Sequence, residues 1–423
     1  MDLQSSITQY LSDYESRWPL SGAVLAAKDG KIVLREAFGT ANLEHGVPCR
    51  ADTRFRIWSV SKSFTALAVM LLREEGKLKL DEPVGQYFPG IRGMEKITAE
   101  QLMHHRSGLA NFTALPSYNR LLNKTKMSKL EVLRLVAEHP AEFAPGSSFS
   151  YNNSGYVALA HLVECISELS FEQFVTERIL RPLGMKDTGL DTGARTIARM
   201  ASPYSSSGGD TIPAEYIHMS SVEGAGSMYS TVDDLYKWDQ SFYDGRLLPQ
   251  SVMAELLEAG GANYGMGWYL DERQGRRRIS HGGAYIGFRS EMIRYPKERA
   301  VVIMLTNWDY VPVTRIASDV AALLLGGAAE APDKPDAYPL PDESFDELAG
   351  RYEGFGCSAD VKRDGSRHYF IWNDSSVVPI YPVSPTKFRH LRHDWSYEFK
   401  RNDRGEISFL GMAKSNPHPP AEL

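Results

Sequence analysis

Ser59-Val60-Ser61-Lys62 opens an apolar helical pattern in which Phe64, Leu67, Ala68, Leu71 and Leu72 recur on one face and Gly76 closes the run. The spacing predicts a buried central helix over 61–75 with Ser59 at its mouth. Residues three apart are neighbours on a helix surface, so Lys62 can sit beside the Ser59 hydroxyl. A serine hydroxyl is a weak nucleophile until a base takes its proton. A lysine can serve once burial or a neighbouring cation lowers its pKa. Taken alone, the tetrapeptide reads more simply as a serine helix cap with a surface lysine. Trp58 and Val60 argue against that simpler reading, because they imply a buried setting.

Two distant stretches change the weighing. Tyr151-Asn152-Asn153 follows the turn-forming Pro145-Gly146-Ser147-Ser148 and precedes a helix expected over 155–167. A phenol there can shuttle a proton if neighbouring cations lower its pKa. Asn153 can donate and accept amide hydrogen bonds to a substrate. His281-Gly282-Gly283-Ala284 ends a predicted strand, and the glycines permit a ligand to approach the backbone closely. The Ala284 N–H can then pair with the Ser59 N–H as an oxyanion hole, with His281 as proton carrier or electrostatic partner.

Working outward, Gly22–Ala27 and Ile32–Phe38 form a hairpin across Lys28-Asp29-Gly30-Lys31, where Asp-Gly suits a tight turn. Ser290–Tyr295 and Ala300–Thr306 form a second hairpin, followed by a helix over 313–325. Helices are expected between them over 129–139 and 231–243. An amphipathic helix over 2–16, with Leu3, Ile7, Tyr10, Leu11 and Tyr14 on one face, is expected to pack on the body. Its polar face lacks the basic cluster of a membrane-surface helix. Residues 326–342 have linker composition, and 343–423 carry short β-prone runs expected to form a small antiparallel sheet or barrel.

The 423-residue chain is 43% hydrophobic and 24% charged, with a net charge of -6, so a nucleic-acid binder is not expected. Cys49, Cys165 and Cys357 are scattered and odd in number, which suits neither a disulfide framework nor a metal site. No apolar run is long enough to span a bilayer and no signal peptide is read, so a cytoplasmic protein is expected.

With its three motifs in this order, the chain resembles the serine β-lactamase and penicillin-binding-protein-like hydrolases. The nearest branch holds class C β-lactamases, D-aminopeptidases, D-Ala-D-Ala carboxypeptidases and related esterases, whose motifs are Ser-x-x-Lys, Tyr-x-Asn and Lys-Thr-Gly or His-x-Gly. Ser59/Lys62, Tyr151/Asn153 and His281/Gly283 match them, as do His105-Arg106-Ser107-Gly108-Leu109, Pro182-Leu183-Gly184-Met185 and Gly224-Ala225-Gly226-Ser227. The resemblance covers residues 10–325, and the C-terminal part is loosely similar to the lipocalin-like domains of some members.

The resemblance implies an α+β fold: an antiparallel sheet flanked by helices, an all-helical subdomain, and Ser59 at their junction. The expected division is a catalytic domain at 1–325, a linker at 326–342 and a small β-domain at 343–423. It also implies catalysis by Ser59, Lys62, Tyr151 and His281, an oxyanion hole from Ser59 and Ala284, and substrate contacts from Asn153, Gly282 and Gly283, with no cofactor or metal. The implied activity is acyl-enzyme hydrolysis of a small amide or peptide, plausibly one with a D-residue. A carboxylesterase, an acyltransferase or peptide cyclase, and a non-catalytic penicillin- or peptide-binding protein are the alternatives. His281 stands where a typical β-lactamase has lysine, and this tilts the expectation away from β-lactam hydrolysis.

Overall fold

A computed structural model describes residues 2–207, 209–373, 376–392 and 394–415. The two hairpins predicted from opposite ends of the catalytic region meet in one six-stranded antiparallel sheet. Its strands are β1 (Gly22–Lys28), β2 (Lys31–Phe38), β3 (Tyr269–Arg273), β4 (Arg276–Tyr285), β5 (Phe288–Tyr295) and β6 (Ala300–Thr306). They run in the order β3-β4-β5-β6-β1-β2. The closure is the β1–β6 pairing, in which Leu25 lies opposite Ile303. Both central strands are near-continuous runs of small and β-branched residues, as a strand covered on both faces requires.

Alternation along these strands feeds two cores. Ala23, Leu25, Ile303 and Leu305 face one way, into the core they share with α2 (Ser61–Glu74), α3 (Lys129–Ala137), α4 (Asn153–Ser167) and α5 (Val232–Asp244), of which α5 lies directly on β1 and β6. Val24, Ala26, Val302 and Met304 face the other way, onto α6 (Val313–Leu324) and the N-terminal helix Leu3–Arg17. Ile7, Tyr10, Leu11 and Tyr14 of that N-terminal helix are buried, which bears out the packed reading. Among the described residues no helix is long and apolar enough to cross a membrane.

Beyond Asp342–Leu348, a short helix, eight strands from Gly350–Gly354 to Met412–Lys414 close into an antiparallel barrel. Its interior is filled by rings, with Tyr352, Phe370, Phe388, Phe399 and Phe409 packed together and Phe345 inserted from the short helix. Two of its strands carry little sequence signal. Cys357–Asp364 turns only Ala359 and Val361 fully inward, too weak an alternation to stand out. Met412–Lys414 is three residues long.

The barrel stands behind the six-stranded sheet. A cavity of about 1140 Å³ separates them, lined by Arg278 and Arg289 of the sheet, Thr314 of α6, and Pro379 and Trp395 of the barrel. Ile279 and His281 of β4 face the helical side, so Arg278 faces away from it by strand alternation. Trp395 therefore lines the back of the sheet, on the side away from Ser59.

Candidate active site

The nucleophile turn is built before the helix begins. Trp58–Val60 is a 3₁₀ turn and α2 starts at Ser61. Three residues per turn set side chains at i and i+3 one above the other, which places Ser59 beside Lys62. Val60 occupies the helix N-cap position without a side-chain cap bond, so Ser59 is not spent on capping. Trp58 adopts a left-handed backbone (φ 45°), an unfavourable conformation for a bulky residue. The surroundings hold it there. Ile57 N–H donates to the Met228 carbonyl (3.0 Å) and the Ser290 hydroxyl donates to the Ile57 carbonyl (2.7 Å).

Lys62 is wholly buried. Its Nζ lies 3.0 Å from Ser59 Oγ, 2.8 Å from Asn153 Oδ1 and 2.8 Å from the Ala225 carbonyl, and 4.9 Å from the centre of the Tyr151 ring. Burial pulls its pKa well below that of an ordinary lysine. The Asn153 and Ala225 oxygens only accept. Nζ donates to all three oxygens; once it gives up a proton, the Asn153 and Ala225 oxygens can keep its two remaining hydrogens and leave the lone pair for the Ser59 hydroxyl.

Asn152, not Asn153, caps α4, accepting from the Gly155 N–H at 3.0 Å. Asn153 is thereby free to turn its amide into the site, where Nδ2 donates to Thr113 Oγ1 (2.8 Å) and retains a second hydrogen. Tyr151 is half-buried and packs among the rings of His105 (4.4 Å), Tyr269 (6.2 Å) and His281 (6.2 Å). Here the structure departs from the sequence expectation. Burial pushes the phenol above its ordinary pKa, a hydrogen bond with Ser59 offsetting only part of the rise. Tyr151 is thus a neutral phenol, and the depressed pKa belongs to Lys62.

His281, expected as a proton carrier or an electrostatic partner, is held by hydrogen bonds at both ring nitrogens. Nδ1 lies 2.7 Å from the Gly282 carbonyl, which can only accept, so Nδ1 carries the hydrogen. Nε2 then accepts from the Tyr264 hydroxyl at 3.0 Å. Burial, reinforced by the nearby Lys62, pushes its pKa down to about 3. At neutral pH it is an uncharged, pinned imidazole. Its free-chain value is near 6.5 and its folded value lies below that, so its contribution to stability is complete above 6.5 and is lost as pH falls from there toward 3. His281→Gln is expected to flatten the loss of melting temperature between pH 6.5 and 4, measured by thermal unfolding; an unchanged acid slope would refute the neutral assignment.

Gly282 and Gly283 leave room that protein atoms take. A Cβ at Gly283 would lie 2.2 Å from the Ile57 carbonyl and 2.9 Å from Trp58 Cβ. One at Gly282 would meet Glu291 Oε2 at 2.8 Å. The Gly283 contact lets β4 lie against the nucleophile turn and brings Ala284 next to it. The structure thus gathers Ser59, Lys62, Tyr151, Asn153, His281 and the Gly283-Ala284 backbone in one place.

Sequence reasoning did not find Ala225 as a partner of Lys62, nor Thr113, Tyr264 and Tyr269. Gly224 was the available signal for the first. It has φ 85°, and a Cβ there would lie 2.4 Å from the Tyr156 carbonyl, so only glycine lets this loop reach Lys62. The tyrosines carry no local signature.

A family model described as Beta-lactamase matches residues 9–326, and the chain belongs to that family. It is 28% identical to penicillin-binding protein 4* of Bacillus subtilis over 92% of each chain. It is 31% identical to a D-aminopeptidase of Brucella anthropi over 74% of this chain and 59% of that protein. Among solved structures, D-amino acid amidase from Ochrobactrum anthropi SV3 superposes with a TM-score of 0.66 at 25% identity, over 77% of this chain and 98% of the amidase. The octameric penicillin-binding protein homologue from Pyrococcus abyssi matches 97% of this chain and 99% of its own, barrel included, with a TM-score of 0.68 at 24% identity. The family to which the chain belongs thus takes in relatives named as a D-aminopeptidase and a D-amino acid amidase beside others named as penicillin-binding proteins.

Proposed function

We propose that the protein hydrolyses a small amide or peptide, with a D-residue on the acyl side, through an acyl-enzyme on Ser59. The observation that carries this reading is the buried Lys62 Nζ 3.0 Å from Ser59 Oγ, held there by the Asn153 amide oxygen and the Ala225 carbonyl. Lys62 accepts the Ser59 proton as Oγ bonds to the substrate carbonyl carbon. The Ser59 and Ala284 N–H groups hold the oxyanion, a role that backbone donors fill well in a water-poor site. The proton passes from Lys62, by way of the neutral Tyr151 phenol, to the leaving nitrogen as its bond to carbon breaks. Water then attacks the ester carbonyl on Ser59 as Lys62 takes its proton, and Lys62 returns that proton to Ser59 Oγ as the Oγ–carbon bond breaks and the acid leaves. The spare hydrogen on Asn153 Nδ2 binds a substrate carbonyl. The named relatives support the D-residue, since a D-aminopeptidase and a D-amino acid amidase are among them.

A fluorophosphonate probe is expected to label the wild type and to leave Ser59→Ala unlabelled. Equal labelling of the two would refute Ser59 as nucleophile. Turnover of D-amino-acid anilides above p-nitrophenyl esters and nitrocefin is the expected order. Ester-only turnover would make it a carboxylesterase, product formation only with an added amine an acyltransferase, and stable labelling without turnover a binding protein.

A further inference from the structure

We infer that the cavity between the six-stranded sheet and the barrel binds a small organic monocarboxylate with an apolar body, and that Arg289 holds its carboxylate. The cavity measures about 1140 Å³, ample for a small-molecule site, and lies on the sheet face away from Ser59. Strand alternation puts Arg289 there. Phe288 and Met292 of β5 pack on the helical side, while Arg289, Ile293 and Tyr295 face the other way.

The charges in the lining single out one group. Arg273 and Arg278 pair with Asp271, Arg276 pairs with Glu298, and Arg315 pairs with Asp319 and Asp394. Arg289 makes no ion pair among the described residues. Its Nε donates to the Asp309 backbone carbonyl, and its two terminal nitrogens make no hydrogen bond among those residues. The Asp309 carboxylate is taken by the Ser205 hydroxyl and by the Gly287 N–H at 3.1 Å. Glu291, two residues along the same face of β5, accepts from Thr314 Oγ1 at 2.6 Å, and Glu272 is exposed to solvent. Burial pulls the Arg289 pKa below its ordinary value, and the nearby Asp309 offsets only part of the fall. A guanidinium drawn out of water without a counter-ion is costly, and a bound carboxylate relieves that cost.

The chemistry of the ligand follows from that group and its surroundings. The planar fork of a guanidinium gives two parallel hydrogen bonds to a carboxylate, and both terminal nitrogens of Arg289 are available for them. One unmatched positive charge suits one negative charge, which favours a carboxylate over a dianionic phosphate. The walls set the rest. Tyr295 of the sheet, Val311 and Pro312 ahead of α6, and Val377, Pro379 and Trp395 of the barrel all border the cavity. Val377 is 38% exposed and Trp395 57%, so the fold leaves large apolar side chains open beside the guanidinium.

Calorimetric titration of the full chain at neutral pH tests this, with phenylbutyrate as the probe, phenylbutanol as its neutral counterpart and inorganic phosphate as the competing anion. Phenylbutyrate is expected to bind with a Kd below about 1 mM, at least about tenfold more tightly than either of the others. Arg289→Met is expected to weaken it by about tenfold or more, and Arg289→Lys by less, because lysine keeps the charge and loses the fork. Ser318→Glu places a carboxylate on the α6 wall of the cavity and leaves Arg289 and Asp309 as they are. It is expected to weaken binding by about threefold or more through like-charge repulsion, and it decides the matter if Arg289→Met does not fold. Undiminished binding in a folded Arg289→Met or in Ser318→Glu overturns the inference. So does equal or tighter binding of phenylbutanol or phosphate, or no binding of phenylbutyrate up to about 10 mM.

Discussion

Lys62→Met is expected to lower the rate of Ser59 acylation by about 10³- to 10⁴-fold, the upper part of the range for a positioned general base. Methionine matches the stem of lysine and keeps the cavity filled, so the loss reports the amine. The single-turnover rate with a fluorophosphonate or a D-amino-acid anilide measures it, and a loss below tenfold would refute the base assignment. The pH dependence carries a second signature. Burial holds the folded pKa of Lys62 well below the ordinary 10.5, so the wild type acylates through a basic limb that begins well below pH 10.5, and the variant lacks it. The same depression makes the unfolded chain bind more protons than the folded one between the two pKa values. Wild-type stability therefore gains with rising pH in that window and is lost as pH falls. The difference in melting temperature between pH 9.5 and pH 7 is expected to be more positive for the wild type than for Lys62→Met.

Gly283→Ala is expected to cut kcat/KM by about 10²- to 10³-fold, the size seen on losing one oxyanion donor. It is also expected to destabilise the fold by about 1–3 kcal/mol, as for overpacking. The new Cβ would meet the Ile57 carbonyl at 2.2 Å, Ser290 Oγ at 2.5 Å and Trp58 Cβ at 2.9 Å. The first and last belong to the nucleophile turn and have no rotamer to retreat into. Relief comes only by parting β4 from that turn, which moves Ala284 away from Ser59. Gly282→Ala is the matched control. Its closest contact is Glu291 Oε2 at 2.8 Å, the far end of a side chain that can swing, so a milder loss is expected. Melting temperatures and kcat/KM for both variants decide the matter. Equal behaviour of the two would show that the close packing of β4 on the nucleophile turn is not what the reaction depends on.

Local chemistry explains which parts of the protein were legible. The central helix, both hairpins and α6 announce themselves by apolar periodicity and turn residues, and they appear within a few residues of their expected bounds. The three motifs were visible because each combines a reactive side chain with a backbone feature: a helix mouth, a turn before a helix, a glycine pair at a strand end. The barrel strand Cys357–Asp364 was not visible, because two inward residues are too few to mark a period. Tyr264, which orients His281, was not visible either, since one tyrosine in a loop resembles any other.

The sequence by itself determined the order of elements, the antiparallel hairpins and the identity of the residues around Ser59, because these depend on spacing, propensity and turn chemistry over a few neighbours. Only the tertiary structure decided their charge. The Lys62 and His281 pKa values fall and that of Tyr151 rises because packing desolvates the ionised forms, and packing is a property of the whole chain. It likewise decided that β1 and β6, about 275 residues apart in sequence, share one sheet, since a non-local pairing leaves no trace in either strand alone.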